Sequence, residues 1–553
     1  MTTGGSTSVQ YPSRYGAPTQ PVVAPGWQLD RLTAPSRLFG ANGLRTGPDG
    51  RIYIAQVTGS QISALDLDTG SMETISAKGG DIIAPDDIAF DSRGNLVATE
   101  VMDGRVSLRD ASGRTRVLRD DVPCANGITF HRDRLFIGEC REDGRLMELD
   151  LDGGPPRILA EHVPSPNAME VGPDGLLYFP VMGANEIWRI HPDGGDHQVV
   201  ATGLGVPDSV KFDADGLIVS TQVASGQVLS IDPRTGEQRV LAQLEPGLDN
   251  CTFADGRLFV SHFTGELTEL VGVGQTRTTL PGALNWPLDL TVGPDGRVYV
   301  ADGTYCYAIE PDGALTTVGM LFTPGYPGFV RGLVATGPDE FVVSTSGGQL
   351  ARYRPQRGET DYLAAGFDQL YGVALAAGGV VVAAEQGTGR VVSVDPSGRV
   401  EVLASGLDTP VGVTVTRGGD VLVAESGAGR VVRVTATGTE PVVEGLERPQ
   451  GLLITGGQER SDSGQAYGDL LLVVDAGAQS VVECDLSTGA RTTIAAGLPI
   501  GPPPGVVPKP LRGMPPFSGP QGPFAGIAAG LDGTLYVSAD GDGSVLTLSR
   551  RRT

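Results

Sequence analysis

Residues 124–140, CANGITFHRDRLFIGEC, carry the pattern that decides the fold of this chain. They read as two short strands, ITF and LFIG, joined by the turn HRDR, which is typical of an antiparallel hairpin. Asn126 stands just before the first strand, and Glu139 ends the second. These two positions lie side by side in an antiparallel hairpin, so we expect both side chains at the same edge of a sheet.

The same hairpin recurs along the whole chain with a period near forty residues. Turns such as GPDG at 47–50 and GPDG at 172–175 fix the alignment of the repeats. The residue that opens the first strand then falls at 42, 86, 126, 167, 208, 249, 288, 331, 371, 411, 450 and 525. Four short alternating strands per period predict propeller blades, and twelve blades favour two six-bladed discs over one ring.

The predicted fold is therefore all-β, with two tandem six-bladed β-propellers. We expect a flexible polar leader at 1–26, the first propeller at 27–273 and the second at 274–553. The last repeat is interrupted by Gln458–Tyr467 and by a Pro/Gly-rich loop at 499–524. We expect the strand at 27–33 to complete the sixth blade and the strand at 276–280 the twelfth. The alternative is that the N-terminal strand crosses over to the second disc.

Composition excludes several classes of partner. A formal net charge of −24 argues against nucleic acids and anionic membranes, because both need a basic surface. No apolar run is long enough for a membrane span, and the N-terminus lacks the pattern of a secretion signal. The five cysteines are sparse and in no metal-ligand spacing, so we expect reduced thiols in a cytoplasmic protein. The low lysine content, 3 Lys against 38 Arg, hints at a bacterial source.

The two halves differ at the residue that opens each first strand. In the first half it is Asn or Asp every time: Asn42, Asp86, Asn126, Asn167, Asp208 and Asp249. In the second half no such set exists, since the positions hold Leu288, Arg331, Tyr371, Val411, Gln450 and Ala525. Asn and Asp also serve as turn residues, which is the alternative explanation. Both halves need the same turns, however, so the difference favours a functional ring in the first half.

The ends of the second strands should line the same mouth, and in the first half they are Gln56, Glu100, Glu139, Val181, Gln222 and His262. Five carboxylates would then crowd one mouth with no Lys or Arg among the twelve positions. Such a group either holds protons or surrounds a cation. Carboxylate and amide oxygens suit Ca²⁺, with Mg²⁺ or Zn²⁺ as alternative divalent ions.

Three consecutive hairpins, CANGITF, SPNAMEVGPDG and VPDSVKFDADG, give the order Asn, Asn, Asp. Across residues 27–271 this pattern resembles the senescence-marker protein/gluconolactonase/luciferin-regenerating superfamily, which includes diisopropyl fluorophosphatase. The resemblance implies a six-bladed propeller with a central calcium site, and implies Asn126, Asn167 and Asp208 as ligands. Asn42 stands where that family has a Glu, so we add Asn42 and Asp86 to the candidate ligand set. Asp86, Asp249 or a glutamate of the rim would have to compensate for the missing carboxylate.

The second half is more similar to NHL-type and virginiamycin B lyase-like repeats, in AEQGTGRVVSVD at 384–395 and AESGAGRVVRV at 424–434. Glu385 and Glu425 are each followed five residues later by an arginine, Arg390 and Arg430. We expect these pairs to tie each second strand to the loop that follows it. Arg331 and Tyr371 at the second mouth are candidate substrate contacts, as are Gln56 and Gln222 at the first; packing explains the former two equally well.

For catalysis a central cation would polarise a carbonyl, and a nearby carboxylate would attack or activate water. Candidate catalytic residues, in order, are Asp249, Asp208 and Glu100, followed by Glu139. His262 is a candidate general acid or base because a histidine titrates near neutrality. We therefore expect a metal-dependent hydrolase of a lactone or ester in small-molecule metabolism. The alternatives are a natural-product cyclase or lyase of secondary metabolism that uses the same mouth, and a non-catalytic propeller scaffold.

Overall fold

The computed structural model describes residues 13–16, 18–456, 469–515 and 518–551. These residues form twelve antiparallel sheets and three short 3₁₀ helices, at Met182–Ala184, Pro355–Arg357 and Ala377–Gly379. The predicted all-β class is thereby confirmed. The predicted insertion at Gln458–Tyr467 lies outside the described residues. In the part of the chain that is described, no helix has the length and apolarity that crossing a bilayer requires.

The N-terminal strands are β1 (Val22–Val23) and β2 (Trp27–Arg31). Six four-stranded sheets follow in chain order: β3 (Leu44–Thr46), β4 (Ile52–Gln56), β5 (Gln61–Leu65), β6 (Met72–Ser76); β7 (Pro85–Phe90), β8 (Leu96–Glu100), β9 (Arg105–Arg109), β10 (Thr115–Arg119); β11 (Ala125–His131), β12 (Arg134–Glu139), β13 (Gly144–Leu149), β14 (Arg157–Val163); β15 (Glu170–Val171), β16 (Leu177–Val181), β17 (Glu186–Ile190), β18 (Gln198–Ala201); β19 (Lys211–Phe212), β20 (Ile218–Thr221), β21 (Gln227–Ile231), β22 (Gln238–Gln243); and β23 (Leu248–Ala254), β24 (Arg257–His262), β25 (Leu267–Gly272), β26 (Gln275–Leu280).

The second half continues in the same way: β27 (Pro287–Val292), β28 (Val298–Asp302), β29 (Tyr305–Ile309), β30 (Leu315–Met320); β31 (Val330–Gly337), β32 (Glu340–Thr345), β33 (Gln349–Arg354), β34 (Glu359–Ala365); β35 (Leu370–Leu375), β36 (Val381–Glu385), β37 (Arg390–Val394), β38 (Val400–Ser405); β39 (Pro410–Val415), β40 (Val421–Glu425), β41 (Arg430–Thr435), β42 (Gly438–Val443); β43 (Pro449–Thr455), β44 (Leu470–Asp475), β45 (Ser480–Asp485), β46 (Arg491–Ala496); and β47 (Ile527–Ala529), β48 (Leu535–Ala539), β49 (Ser544–Arg550).

The hairpins form where the turn chemistry dictates. In the DSRG turn the Asp91 carboxylate accepts the backbone N–H groups of Arg93 and Asn95, at 3.0 and 2.8 Å. Gly94 in that turn has φ 81°, and Gly50 in the first GPDG turn has φ 80°. That left-handed conformation costs a glycine little, because it has no Cβ. Each turn therefore fixes the register of its hairpin locally.

The described residues fall into two units. One holds Leu38–Asn285 with Val506–Pro516, and the other holds Met1–Arg37, Trp286–Gly505 and Phe517–Thr553. Within the first unit the opening strands contact one another in turn, as β7 does β3 and β11, and β23 of the sixth sheet returns to β3. Within the other unit β47 likewise returns to β27.

Apolar side chains fill the space between successive sheets. Val97 and Val106 of one sheet pack with Ile128, Leu135 and Ile137 of the next. All five side chains are fully buried. The alternation of each strand places these side chains inward on a shared layer. The unit is therefore held by a series of cores between neighbouring sheets.

The N-terminal strand corrects the predicted closure. β2 pairs with β49, from Trp27 opposite Arg550 to Arg31 opposite Leu546, and β1 pairs with β46. The strand at 276–280 instead lies in β26, which pairs with β25. The expectation that 27–33 completes the sixth sheet is wrong, and the crossover alternative is the observed one. The described part of the predicted flexible leader is ordered, since Arg14 is buried and Val22–Val23 pairs with β46. The predicted domain boundary at 273/274 also differs from the observed units, which divide between Asn285 and Trp286.

Candidate functional site

The six opening residues of the first unit are held in place by the neighbouring strands. The backbone N–H of Asn42 donates to Ala55 at 2.9 Å, and that of Asp208 to Thr221 at 3.0 Å. The Ser261 hydroxyl donates to the Asn42 carbonyl at 2.7 Å, which links the sixth sheet to the first. The Thr221 hydroxyl likewise donates to the Asp249 carbonyl, so in the fifth and sixth sheets the residue before the second-strand end fixes the opening residue of the next sheet. The sequence analysis missed both hydroxyl-to-carbonyl hydrogen bonds, those of Ser261 and Thr221.

In the first and third sheets, close approach to the next opening strand depends on the glycine after the opening position. A Cβ at Gly127 would lie 2.1 Å from the backbone oxygen of Asn167, and one at Gly43 would lie 2.4 Å from that of Asp86. No larger residue fits there without moving backbone. These glycines therefore let the ring positions of adjacent sheets come together.

The six side chains form three Asn–Asp pairs, each between neighbouring sheets. The Asn167 amide donates to the Asp208 carboxylate at 2.9 Å, and the Asn42 amide donates to that of Asp249 at 2.9 Å. The Asn126 amide donates to the Asp86 carboxylate. We call these six residues the ring. Every predicted ligand of the first mouth, Asn126, Asn167, Asp208, Asn42 and Asp86, lies in it.

The three ring carboxylates act on one another. Burial raises the pKa of Asp208 well above its usual range, and the nearby charge of Asp86 raises it further. Burial also raises the pKa of Asp249, with Asp208 as the next cause. The pKa of Asp86 is raised to about 7 by burial and then by the charge of Asp87. Three carboxylates that suppress each other's ionisation form a group that a positive charge would stabilise.

Two unpaired oxygens in the ring fit a cation. Asn126 and Asn167 are 5% and 3% exposed, and in the described part of the chain neither side-chain Oδ1 accepts a hydrogen bond. Buried amide oxygens normally have a partner. Two such oxygens, in a ring that also holds the Asp208 carboxylate, fit the oxygen ligands of a hard divalent cation. No group of three or more His, Cys, Asp or Glu that could hold a metal occurs among the described residues, so amides are essential to any such set.

Beneath the ring lies a partly buried charged cluster that the sequence analysis missed. Arg45 Nη1 lies 2.7 Å from Glu170 Oε2, and Lys211 Nζ lies 3.4 Å from the same oxygen. Asp87 accepts the N–H groups of Ile88 and Ile128 at 2.8 and 3.3 Å. Arg45, Glu170 and Lys211 each stand three residues after an opening position, so charge at that position of the repeat was a readable signal.

The rim glutamates do not join the ring, contrary to the expectation of five crowded carboxylates. Glu100 is paired with Arg105 and accepts the Ile83 N–H at 2.6 Å. Glu139 pairs with Arg141 at 2.9 Å and with Arg145. Both carboxylates are fully buried and neutralised inside their own sheets. Neither is available as a nucleophile or base, so of the five predicted carboxylates only Asp86, Asp208 and Asp249 lie in the ring.

The other predicted residues of the first mouth are also engaged locally. Gln56 accepts the Phe39 N–H at 2.9 Å, and Gln222 accepts the Gly205 N–H at 3.0 Å. His262 contacts the Thr264 hydroxyl through Nδ1 at 2.8 Å and the Pro246 carbonyl through Nε2 at 2.9 Å. Burial lowers the pKa of His262. These contacts assign all three side chains to strand-end positioning.

At the mouth of the other unit Arg331 and Tyr371 meet residues of their own chain. The Arg331 guanidinium lies over the rings of Trp286 and Tyr371, at 5.2 and 4.6 Å, and donates to the Gly522 carbonyl. Tyr371 contacts the ring of Phe524 edge-on at 6.0 Å. The end of the Pro/Gly-rich loop therefore occupies the place where a substrate was expected.

The predicted Glu–Arg ties of the second half are confirmed. Arg390 lies 2.6 Å from Glu385, and Arg430 lies 2.5 Å from Glu425. All five cysteines are free and buried, as expected for reduced thiols.

Comparison with known proteins agrees with the pattern of the first half. Residues 22–264 match the family model described as SMP-30/Gluconolactonase/LRE-like region. This confirms the resemblance predicted for that part of the chain. The resemblance of the second half to NHL-type and lyase repeats stays a prediction. No curated protein matches the chain by sequence.

Several solved structures are similar to about half of the chain. A streptogramin B lyase is 18% identical with a TM-score of 0.38, over 50% of this chain and 95% of its own. A gluconolactonase from Xanthomonas campestris is 17% identical with a TM-score of 0.37, over 46% and 95%. The calcium-binding protein regucalcin from Agrobacterium tumefaciens is 20% identical with a TM-score of 0.36, over 44% and 94%.

Proposed function

We propose that the unit of residues 38–285 is a metal-dependent hydrolase of a small lactone or ester. Each set of six sheets is then one six-bladed propeller, and the substrate binds at the ring of the first. The free, buried cysteines favour the reducing cytoplasm as its location. One observation carries the proposal: the unpaired Oδ1 atoms of Asn126 and Asn167 lie in the same ring as the Asp208 carboxylate.

The residues that would hold the cation are Asn126, Asn167 and Asp208, through their side-chain oxygens. A divalent cation held there, with Ca²⁺ the best fit to these ligands, would supply Lewis-acid chemistry: it would polarise a substrate carbonyl and stabilise negative charge on its oxygen. Asp86 adds negative charge to the same ring and offsets the absence of a carboxylate at Asn42. The amides of Asn42 and Asn126 orient their partner carboxylates through hydrogen bonds.

Asp249 is the general base that we assign. Its Oδ2 accepts the Asn42 amide at 2.9 Å, which leaves Oδ1 to take a proton from water. Burial raises the pKa of Asp249, which makes its carboxylate a stronger proton acceptor. The water oxygen bonds to the carbonyl carbon as its proton passes to Asp249, and the C=O π pair moves onto the carbonyl oxygen. That pair re-forms the C=O bond in the step that follows. The C–O bond to the leaving oxygen then breaks, and that oxygen takes the proton from Asp249.

The experiment that tests the proposal measures metal content and turnover together. The purified protein is analysed for bound metal before and after chelation, then assayed on a panel of lactones and aryl esters with Ca²⁺, Mg²⁺ or Zn²⁺ restored. Asp208→Ala should lose both the metal and the activity. Asp215→Ala is the matched control, because Asp215 is an exposed carboxylate in the turn of the same repeat.

The outcomes separate the candidate functions. Turnover that needs the restored cation and fails in Asp208→Ala supports the hydrolase. Metal bound without turnover of any lactone or ester would favour a cyclase or lyase at the same ring. Unchanged metal content and activity in Asp208→Ala would contradict the proposal.

A further inference from the structure

A segment from the last repeat of the chain lies within the first unit. The described residues of Val506–Pro516 group with Leu38–Asn285, although the residues before and after them group with the second half. We call residues 506–515 the inserted segment. It is distant from the ring in sequence, so its contacts with this unit require an explanation.

The start of the inserted segment lies against the connection between β6 and β7. A Cβ at Gly79 would lie 3.2 Å from the Val507 carbonyl oxygen and 3.3 Å from Val506 Cγ1. Lys509 Nζ lies 3.9 Å from Asp81 Oδ1. Gly79 has φ 89°, so both its conformation and the contact favour glycine here.

The second part of the segment reaches the turn after β8 and the start of β11. Arg512 Nε lies 3.1 Å from Asp103 Oδ1, and the Asp103 side chain is only 4% exposed. Arg105 lies 2.8 Å from the other oxygen of the same carboxylate. The Pro515 carbonyl lies 4.0 Å from Cys124 Sγ.

These contact points lie at the end of the sheets that bears the ring. The connection from β6 leads directly into Pro85 and Asp86, and Cys124 stands two residues before Asn126. The turn after β8 follows Glu100, which pairs across the hairpin with Pro85. The inserted segment therefore runs beside the opening residues of the second and third sheets.

The charge of the segment differs from that of the chain. It contains Lys509 and Arg512 and no acidic residue, in a protein with a formal net charge of −24. The Arg512 side chain remains 76% exposed while its Nε contacts Asp103. A guanidinium has five N–H donors, so such an arrangement leaves donors for a further acceptor.

We propose that the inserted segment forms one wall of the mouth above the ring and binds an anionic group of the substrate through Arg512. This inference rests on the proposed function, which it deepens: the substrate class becomes carboxylate-bearing lactones and esters. Arg512 is here a specificity-determining residue, held toward the mouth by Asp103. The bond-breaking chemistry stays with the ring.

The kinetic test compares matched substrates. Aryl esters that carry a carboxylate on the acyl chain are assayed beside neutral esters of equal length. We expect Arg512→Ala to raise KM for the carboxylate-bearing esters at least tenfold and to leave KM for the neutral esters within twofold. Arg357→Ala removes an exposed arginine of the other unit and should leave both KM values unchanged. Equal effects of Arg512→Ala on the two substrate sets would overturn the inference.

A second readout needs no activity. Replacing residues 506–515 by ten Gly and Ser residues should speed alkylation of Cys124 by iodoacetamide at least fivefold, because the segment contacts that thiol. The other four cysteines are buried and serve as internal controls for folding. An unchanged Cys124 rate would overturn the placement of the segment.

The two readouts also separate the inference from the proposed function. If the unchanged protein turns over no ester with any cation, the proposed function fails, and the substrate assignment fails with it. If it turns over both ester sets equally well and Arg512→Ala is silent, only the inference fails.

Discussion

The side-chain amide of Asn167 donates to the carboxylate of Asp208 at 2.9 Å, across two residues that lie one repeat apart in the chain. The same amide-to-carboxylate hydrogen bond joins Asn42 to Asp249 and Asn126 to Asp86. Each bond uses an amide N–H and leaves the amide oxygen directed elsewhere. The pairing thus holds the asparagines in place. The Oδ1 atoms of Asn126 and Asn167 stay available for a cation, whereas Asn42 Oδ1 accepts the Val57 N–H at 3.1 Å.

Removing one ring charge should release the metal without unfolding the unit. Asp208→Asn keeps a side chain of the same shape but loses a carboxylate among three that the cation would neutralise. We expect bound metal to fall at least tenfold and turnover to fall with it, while the circular dichroism spectrum stays unchanged. Asp215→Asn, in the exposed turn of the same repeat, should retain both. Full metal occupancy in Asp208→Asn would show that the cation binds elsewhere.

Glu139 should matter for stability and not for the metal. Its buried carboxylate neutralises Arg141 and Arg145, whose side chains are 34% and 31% exposed. Glu139→Gln breaks these ion pairs, and partial hydration of the two arginines limits the loss to about 1–3 kcal/mol of unfolding free energy.

The measurement is urea unfolding together with metal analysis. Glu425→Gln, which breaks the corresponding tie to Arg430 in the second half, should show a similar loss. Metal loss in Glu139→Gln at unchanged stability would instead make Glu139 a ligand.

Asp289 should make the second-half unit less stable as the pH rises. Burial raises its pKa to about 7, although the N–H groups of Leu290 and Leu333 lower it. The folded state therefore holds a proton that the unfolded state releases near its ordinary pKa of 3.8. The stability tied to that proton is complete below the unfolded pKa and is lost as the pH rises through 7.

Thermal unfolding between pH 5 and pH 8 checks this sign. The unchanged protein should lose stability across the interval, and Asp289→Asn should flatten the dependence because Asn does not titrate. The N–H groups of Leu290 and Leu333 each bind a different oxygen of Asp289, and the side chain of Asn has only one oxygen. The variant should therefore be less stable than the unchanged protein at pH 5. A profile of equal slope in both proteins would exclude Asp289 as its source.

The N-terminal strand should stabilise the second-half unit. Trp27 is 5% exposed in the core that contains Leu535 and Leu548, and the Arg550 guanidinium lies 4.2 Å from its ring centre. Trp27→Ala should cost about 3 kcal/mol through the cavity that it leaves. Denaturant unfolding measures the loss of stability, and hydrogen exchange should show lost amide protection in β2 and β47–β49. Loss of protection confined to β23–β26 would restore the closure that the sequence suggested.

Local sequence was sufficient for the hairpins and for the ring positions. Turns such as DSRG carry their own hydrogen bonds and a glycine with positive φ, so each register can be read without the rest of the chain. The Asn and Asp residues at the opening positions identified the first half as the one with a site. The rim glutamates misled the prediction, although Arg105 follows Glu100 by five residues, which is the spacing already interpreted as a tie at Glu385 and Arg390.

By itself the sequence determined the repeat, the all-β class and which residues open each sheet, because turn geometry and strand alternation act over a few residues. Only the tertiary structure decided that Trp27–Arg31 pairs with β49, that each ring asparagine binds one particular aspartate, and that residues 506–515 lie beside the ring. The physical reason is that an edge strand carries the same unpaired N–H and C=O groups in every sheet. Its partner is therefore chosen by long-range burial, such as that of Trp27, which no local pattern records.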